Sequence, residues 1–171
     1  MDALWNFLID VLQRSFWFWR VIQPDEGGVR TFCGKNPVVL GPGLHFVWPI
    51  VGDISVTVCT EAVIDVRGQS LTTKDQVMVC VGLSVAYEVL DAYRAIYKVQ
   101  DRDESLANES LRCVDEYVNA HTLAECLDAA PMTAAVTKAM RDVVTQRWGV
   151  KIHRIGRSDF GKHRAIRLIN Q

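Results

Sequence analysis

The sequence lacks the features that mark several large classes of protein. It has 19 Lys and Arg residues against 20 Asp and Glu residues, so it has none of the basic excess of a dedicated nucleic-acid-binding protein. Its five cysteines are an odd number and include no Cys-x-x-Cys pair, which argues against a disulfide scaffold and against a zinc site. What remains is a folded chain of 171 residues, 49% of them hydrophobic, which is long enough for one domain with a substantial core.

Recognisable catalytic and metal-binding motifs are also missing. None of the four histidines belongs to a His-x-x-x-His or Glu-x-x-His pattern. Gly41-Pro42-Gly43 is not a phosphate-binding loop, because no Gly-Lys-Ser/Thr follows it and it opens no helix. A cysteine nucleophile with a distant histidine remains a minor alternative, since no particular cysteine is favoured. The sequence therefore predicts no catalytic residue, no metal site and no cofactor.

The apolar N-terminal segment, residues 3–22, has no charge-free run of the length that a membrane-spanning helix needs, about 20 residues. Asp10, Arg14 and Arg20 interrupt it. It also differs from a secretory signal, because no basic residue precedes the apolar run and no small-x-small cleavage site follows. Both alternatives are therefore disfavoured.

On a helical projection of about 100° per residue, the polar side chains of this segment fall within one sector. The pattern predicts an amphipathic helix in the membrane interface, or a short hairpin dipping partway into the bilayer, with aromatic rings at headgroup depth. A helix packed on its own domain is the alternative. The predicted membrane-contacting residues are Leu4, Trp5, Phe7, Leu8, Val11, Leu12, Phe16, Trp17, Phe18 and Trp19.

From Pro24 onward the pattern changes to short strands and turns. Extended segments are predicted at 29–33, 45–48, 54–58 and 61–67, with a loop from Pro37 to Gly43. Residues 77–89 alternate strictly between two faces, which predicts one long strand with a buried side.

Helices dominate the second half of the chain. One is predicted from Ala92 to Val99 and another across Ala107 to Val118. Thr122 to Glu125 forms a capping-box pattern, and a further helix follows with Pro131 in its first turn and Gly149 at its end. After it, residues 150–152 are predicted to be extended. Strands followed by helices predict an α+β domain, with helices packed on an antiparallel sheet.

Charge is unevenly distributed along the chain. Residues 101–128 contain eight acidic residues and two arginines, whereas residues 151–167 contain six Lys or Arg residues and one aspartate. Copies of the chain could pair these two regions head to tail, although both could equally be solvated faces. The candidate subunit-interface residues are Glu109, Asp115, Glu116, Arg154, Arg157 and Arg164.

Three motifs, taken in this order, resemble the stomatin/prohibitin/flotillin superfamily, whose common unit is the SPFH or band 7 domain. Residues 21–29 are similar to its V-x-P-x-E-x-G-V block, residues 41–49 to P-G-L-H-F-x-x-P, and residues 72–77 to T-K-D-x-V. The resemblance covers about residues 21–160. The matching positions are Pro24, Gly28, Pro42, Gly43, Leu44, His45, Phe46, Pro49, Thr73, Lys74 and Asp75.

The resemblance implies a membrane anchor at 1–22, an SPFH domain at 23–160 and a short basic tail at 161–171. It implies a non-enzymatic membrane scaffold that forms a ring or cage, organises a lipid microdomain and regulates a membrane protease, channel or transporter. The alternative is a small-oligomer regulator or inhibitor of one membrane complex, such as a virus or mobile element could encode. Relatives usually continue into a coiled coil, which the residues after Asp159 do not resemble.

The membrane side and the state of Cys33 are separate expectations. Five cysteines without obvious pairing favour the cytoplasmic side, where thiols stay reduced. Some relatives carry a fatty acyl group on a cysteine, but an ordinary packed thiol is the simpler expectation for Cys33.

Overall fold

Eight strands and four helices follow one another in the computed structural model, which describes residues 18–48 and 51–162. The strands are β1 Trp19–Ile22, β2 Glu26–Phe32, β3 Lys35–Leu40, β4 Gly43–Phe46, β5 Gly52–Val58, β6 Ala62–Thr72, β7 Met78–Val89 and β8 Val150–Lys162. The helices are α1 Ala92–Tyr97, α2 Arg102–Ala120, α3 Leu123–Leu127 and α4 Ala129–Trp148. The predicted α+β class with antiparallel pairing is confirmed.

The strands form three antiparallel sheets. β1 pairs with β4 in a two-stranded ribbon, β2 lies between β3 and β5, and β7 lies between β6 and β8. On the β6-β7-β8 sheet, α2 packs against β6 and α4 packs against β8, so the two long helices cover one face of this sheet side by side. β6 and β8 are consequently the two edges of this sheet within the described residues.

The core lies between the β6-β7-β8 sheet and these two helices. The predicted alternation of β7 is confirmed, since its inward residues from Val79 to Val89 are at most 4% exposed. Val114 and Val118 of α2 and Met132 and Met140 of α4 meet them, each fully buried. The helical spacing of the apolar residues places them on the buried side.

Local sequence signals explain where the helices begin and end. Asp91, Asp101, Thr122 and Asp128 each precede a helix and accept a hydrogen bond from a backbone N–H of its first turn. Thr122 and Glu125 form the predicted capping box. α4 ends at Gly149, whose φ of +67° is the left-handed conformation that glycine adopts most easily.

The structure corrects three predictions. Trp19–Ile22 is strand β1, so the predicted helix does not reach residue 22, and Phe18 immediately before it is a turn residue. The predicted loop from Pro37 contains strand β3, which pairs with β2 through a tight hairpin at Cys33-Gly34, where both φ angles are positive. β8 extends ten residues beyond Ile152, to Lys162, because antiparallel pairing with β7 sustains it.

Candidate functional site

The β1–β4 ribbon presents an apolar face to solvent. In its register Trp19 lies opposite Phe46 and Val21 opposite Leu44. Directly opposed residues in an antiparallel pair share one face, so these four side chains lie together. They are exposed, with Trp19 at 51% and Leu44 at 61%. Ile22, pointing to the other face, is 1% exposed and attaches the ribbon to the domain.

Aromatic rings cluster around Phe46 on this ribbon. Its ring centroid lies 5.5 Å from that of Trp19 and 5.8 Å from that of Trp48, both edge to face, and 6.3 Å from that of Phe18. The Val47 N–H donates to the Phe18 carbonyl at 2.7 Å, which extends the pairing by one step. The rings thus support one another while keeping one broad surface open.

The apolar surface continues past Trp48 onto the neighbouring sheet. Trp48, Phe32 and Val38 line a cavity of about 270 Å³, with the Arg30 side chain at its wall. More than half of the exposed large hydrophobic residues in the described chain lie within residues 19–48, namely Trp19, Val21, Phe32, Val38, Val39, Leu44, Phe46 and Trp48. Soluble surfaces rarely concentrate so much apolar area without a binding role. We call this set the aromatic surface, without Val39, which points to the opposite face of β3 from Val38.

Sequence reasoning assigned only part of this set to membrane contact. Trp19 was predicted and lies on it, and Phe18, also predicted, packs against Phe46; the other predicted residues, Leu4, Trp5, Phe7, Leu8, Val11, Leu12, Phe16 and Trp17, fall outside the described residues. Val21, Phe32, Val38 and Trp48 were missed, and Leu44 and Phe46 were predicted only as motif positions. The sequence does contain a pattern that predicts their exposure. Short strands in which apolar residues alternate, with no helix to cover them, leave one apolar face exposed.

The glycines and prolines of the second motif shape the turn into β4. Gly43 has a φ of +136°, which glycine alone adopts readily. The His45 ring Nε2 lies 2.8 Å from the Gly41 carbonyl oxygen and closes the loop around Pro42. The described part of this motif therefore forms a turn that a side-chain hydrogen bond closes; Pro49 lies outside the described residues.

Gly28, from the first motif, makes room for the ribbon. A Cβ atom at Gly28 would overlap the Cδ1 methyl group of Ile22, so any larger residue would force the buried Ile22 side chain to move. Pro24 stands in the exposed turn between these strands, where the Glu26 N–H donates to the Gln23 carbonyl at 3.1 Å. The first motif thus positions the base of the aromatic surface.

The Thr73-Lys74-Asp75 motif fastens the β6–β7 turn to the helices. Thr73 is 3% exposed, and its hydroxyl donates to the Val77 carbonyl and accepts from the Val77 N–H, each at 3.2 Å. The Lys74 N–H donates to the His121 carbonyl at 3.0 Å. The Asp75 carboxylate accepts from the Leu123 N–H at 3.1 Å, so its partner lies far along the chain.

The match to known families agrees with these motifs. Residues 20–162 match the SPFH domain / Band 7 family. The chain belongs to this family. The resemblance predicted from the three motifs is therefore confirmed, and the matched range begins at the ribbon and ends with β8.

Relatives of this SPFH/Band 7 chain include archaeal and animal proteins. It is 26% identical over 136 residues to an uncharacterised protein of Methanothermobacter thermautotrophicus, covering 80% of this chain and 43% of the relative. It is 28% identical over 146 residues to Stomatin-4 of Caenorhabditis elegans, covering 82% and 51%. It is 26% identical over 133 residues to a stomatin homolog of Pyrococcus horikoshii, covering 78% and 50%. The chain thus spans about half the length of these relatives.

The candidate interface residues have different surroundings in the SPFH domain. Arg112 forms ion pairs with Glu109, at 2.6 Å, and with Glu116. Arg157 donates to the Cys126 and Leu127 carbonyls at 2.8 and 3.0 Å, at the end of α3. Asp115 is half-buried and Arg154 is exposed, whereas Arg164 lies outside the described residues. The structure does not bring the acidic and basic sets together within one chain.

The thiols and other titratable groups give no reactive cluster within the described chain. Burial raises the pKa values of Cys59, Cys113 and Cys126, which keeps these thiols protonated and weakens them as nucleophiles. No three His, Cys, Asp or Glu side chains among residues 18–48 and 51–162 are grouped to hold a metal ion. None of the described helices combines the length and apolar character that crossing a membrane requires.

Proposed function

We propose that this SPFH/Band 7 protein is a non-enzymatic scaffold that lies against a membrane and places its aromatic surface in the lipid interface. The exposed ring cluster around Phe46 carries the proposal, because Trp and Phe are favoured at headgroup depth. The predicted amphipathic segment, residues 3–22, shares Trp19 and Val21 with this surface, so both apolar features enter the same region of lipid.

The shape of the ribbon favours lipid, and not the core of another protein, as the layer that covers its open face. Trp19, Val21, Leu44 and Phe46 present four apolar side chains on one flat face, while Arg20 and His45 alternate onto the other face. A two-stranded ribbon needs a partner layer, because alone it is marginally stable in water. Lipid supplies that layer on the open face without any specific shape.

Vesicle flotation tests this membrane contact. The full chain is mixed with vesicles of phosphatidylcholine and phosphatidylglycerol, and the partition coefficient is compared with that of the double variant Trp19→Ala/Trp48→Ala. We expect a loss of about tenfold from removing two exposed apolar side chains that lipid would bury. The matched control is Leu90→Ala/Leu127→Ala, since these leucines are equally exposed but lie elsewhere, at 58% and 59%. Equal flotation of the two double variants would rule out the aromatic surface as the contact.

In this proposal the chain assembles as a homo-oligomer, a ring or cage, that organises lipid around it and regulates a resident protease, channel or transporter. Membership of the SPFH/Band 7 family supports this reading. All five cysteines are free thiols, which supports a domain on the cytoplasmic side. Mass photometry of detergent-extracted full chain tests assembly directly: closed particles of many subunits are expected, and particles of one or two subunits would contradict it.

A further inference from the structure

A basic groove runs between α4 and β8, at one edge of the β6-β7-β8 sheet. Its volume is about 450 Å³, and its charged lining consists of Lys138, Arg141, His153 and Arg154. Arg141 is committed to the fold, because its Nε and Nη2 donate to the Ile152 and His153 carbonyls at 3.1 and 3.0 Å. It therefore forms a fixed wall of the groove.

Lys138 and Arg154 are the available cations of this groove. Both are exposed, and among the described side chains no carboxylate lies within ion-pair distance of either. Glu88, on the neighbouring strand β7, pairs with His153 at 3.0 Å. The groove thus presents two flexible positive charges to an incoming acidic surface.

The opposite edge of the same sheet is acidic. α2, which packs on β6, carries five acidic residues and two arginines, Arg102 and Arg112. Arg112 holds Glu109 and Glu116, whereas Glu104 and Asp115 have no basic group within ion-pair distance among the described residues. α2 therefore keeps a net negative charge after its internal pairs are formed.

The geometry points to a contact in which the α4–β8 groove of one copy receives the acidic α2 face of the next. Lys138 and Arg154 face Asp115 and Glu116 of the neighbouring copy in this contact; Glu116 pairs with Arg112 through Oε1, but its side chain is still 64% exposed. The two surfaces lie at opposite edges of one sheet, so the contact is head to tail and can repeat until a ring closes. This inference rests on the proposed assembly and names the surfaces that build it.

A small anion fits the groove less well than a protein surface. The Thr133 hydroxyl donates to the Ala129 carbonyl at 2.9 Å and the Thr137 hydroxyl to the Thr133 carbonyl at 2.6 Å, so both are turned toward their own helix. No fixed set of donors converges on one point, as phosphate recognition would need. Long side chains of one sign across an open groove suit a complementary charged surface.

The contact keeps Asp115, Glu116 and Arg154 of the sequence prediction but not the other three residues. Glu109 pairs with Arg112, Arg164 lies outside the described residues, and Arg157 has another role. Arg157 holds the end of α3 through two carbonyls and stacks on Phe160, with its guanidinium carbon 4.6 Å from the ring centroid. It acts within its own chain. Lys138 takes its place at the interface, because α4 brings it beside Arg154 across the groove.

A charge-swap experiment tests the pairing. Variant A carries Lys138→Glu and Arg154→Glu, and variant B carries Asp115→Lys and Glu116→Lys; assembly of each full chain is measured by mass photometry at low and high salt. Each variant alone opposes like charges, so we expect self-association to weaken about tenfold or more. Mixed in equal amounts, each groove again meets a face of opposite charge, and we expect assemblies of wild-type size with A and B alternating.

The outcomes separate the inference from the proposed function. Restored assembly in the mixture alone supports the pairing. Variants that assemble like wild type, or a mixture that stays dissociated, overturn the pairing while wild-type assembly stands. A wild-type chain that does not assemble overturns the proposed oligomer itself.

Two controls show that charge, and not unfolding, causes any loss. Lys98→Glu/Arg67→Glu changes two exposed cations outside the groove and should assemble normally. Lys138→Gln/Arg154→Gln removes charge without reversing it and should weaken assembly by an intermediate amount. Circular dichroism confirms that each variant is folded; an intact fold with unchanged assembly in the Gln variant and in variant A counts against the pairing.

Discussion

Tyr87 links the central strand to the helical layer through one hydrogen bond. Its hydroxyl donates to Asp103 Oδ1 at 2.6 Å, and the Arg102 guanidinium carbon lies 5.3 Å from the centre of its ring. Burial, with the Asp103 hydrogen bond second, raises the pKa of Tyr87 to about 12. The folded state therefore holds the phenol proton more tightly than the unfolded chain, whose tyrosines ionise near pH ~10.

This raised pKa predicts alkaline instability. The contribution of Tyr87 is fully present below about pH 10 and is lost as the pH rises through about 12, with a total of roughly 2–3 kcal/mol. Urea unfolding between pH 9 and 12 should show a steeper fall in the free energy of unfolding for the wild type than for Tyr87→Phe. Parallel curves for the two proteins would contradict this account.

Gly149 is the glycine at which an added methyl group should cost most. Its φ is +67°, and a Cβ there would lie 2.6 Å from the Cβ of Asp91. Its carbonyl also accepts from the N–H groups of Leu90 and Asp91. We expect Gly149→Ala to lower the free energy of unfolding by about 2–4 kcal/mol through backbone strain and overlap.

Gly161 provides the matched control for this prediction, because an added Cβ there meets no atom within 4 Å. Thermal unfolding of Gly161→Ala should stay close to wild type. Equal destabilisation by the two substitutions would mean that loss of glycine, and not its place in the fold, determines the effect.

In the Thr73-Lys74-Asp75 turn, the Asp75 side chain and the Lys74 backbone make the contacts with other elements. Asp75 accepts from the Leu123 N–H at the start of α3, while Lys74 contributes its backbone N–H to His121. Asp75→Ala should therefore lower the free energy of unfolding by about 1 kcal/mol, the usual effect of removing a helix cap. Lys74→Ala keeps the backbone hydrogen bond and should change the free energy of unfolding by no more than about 0.5 kcal/mol. Denaturant titration of both variants measures the two effects. A larger loss from Lys74→Ala than from Asp75→Ala would refute the capping role.

Element types were predicted well where a pattern was long and less well where it was short. The thirteen-residue alternation at 77–89 identified β7 because each inward position had to be apolar to fill the core. Trp19–Ile22 was predicted as helical because it continues the apolar segment from residue 3, and four residues are too few to distinguish the period of a helix from that of a strand. Its pairing with Gly43–Phe46 is a long-range contact that local pattern cannot reveal.

The candidate site was predictable only in part for the same physical reason. The motif residues of 41–46 identified the place where the aromatic surface lies. Phe32 and Trp48, however, meet at a cavity wall only after β2, β3 and the segment after β4 have packed. Likewise, Arg157 could be identified as a cation in the sequence, but not as the residue that binds the α3 carbonyls.

Across the whole molecule, cysteine accessibility reports on global folding. Cys33 is exposed at a hairpin tip, whereas Cys113 is 4% and Cys126 0% exposed. A maleimide reagent should therefore modify Cys33 in the native protein about a hundredfold or more faster than Cys113 or Cys126, which require unfolding to react. Peptide mass mapping after short exposure checks the order, and early labelling of Cys126 would contradict the packing of α3.

The ribbon described above has a consequence for hydrogen exchange. Among the residues that the structure describes, its strands pair only with each other and Ile22 is a buried point of attachment to the domain, whereas β7 has a bonded strand on each side. The ribbon can therefore open locally while β7 exchanges its amide hydrogens only through global unfolding. Deuterium should reach Trp19–Ile22 and Gly43–Phe46 early in free protein and late in vesicle-bound protein, because lipid then closes the open face. A comparison of the exchange rates of free and vesicle-bound protein would therefore locate the membrane contact residue by residue, with no probe attached to the chain.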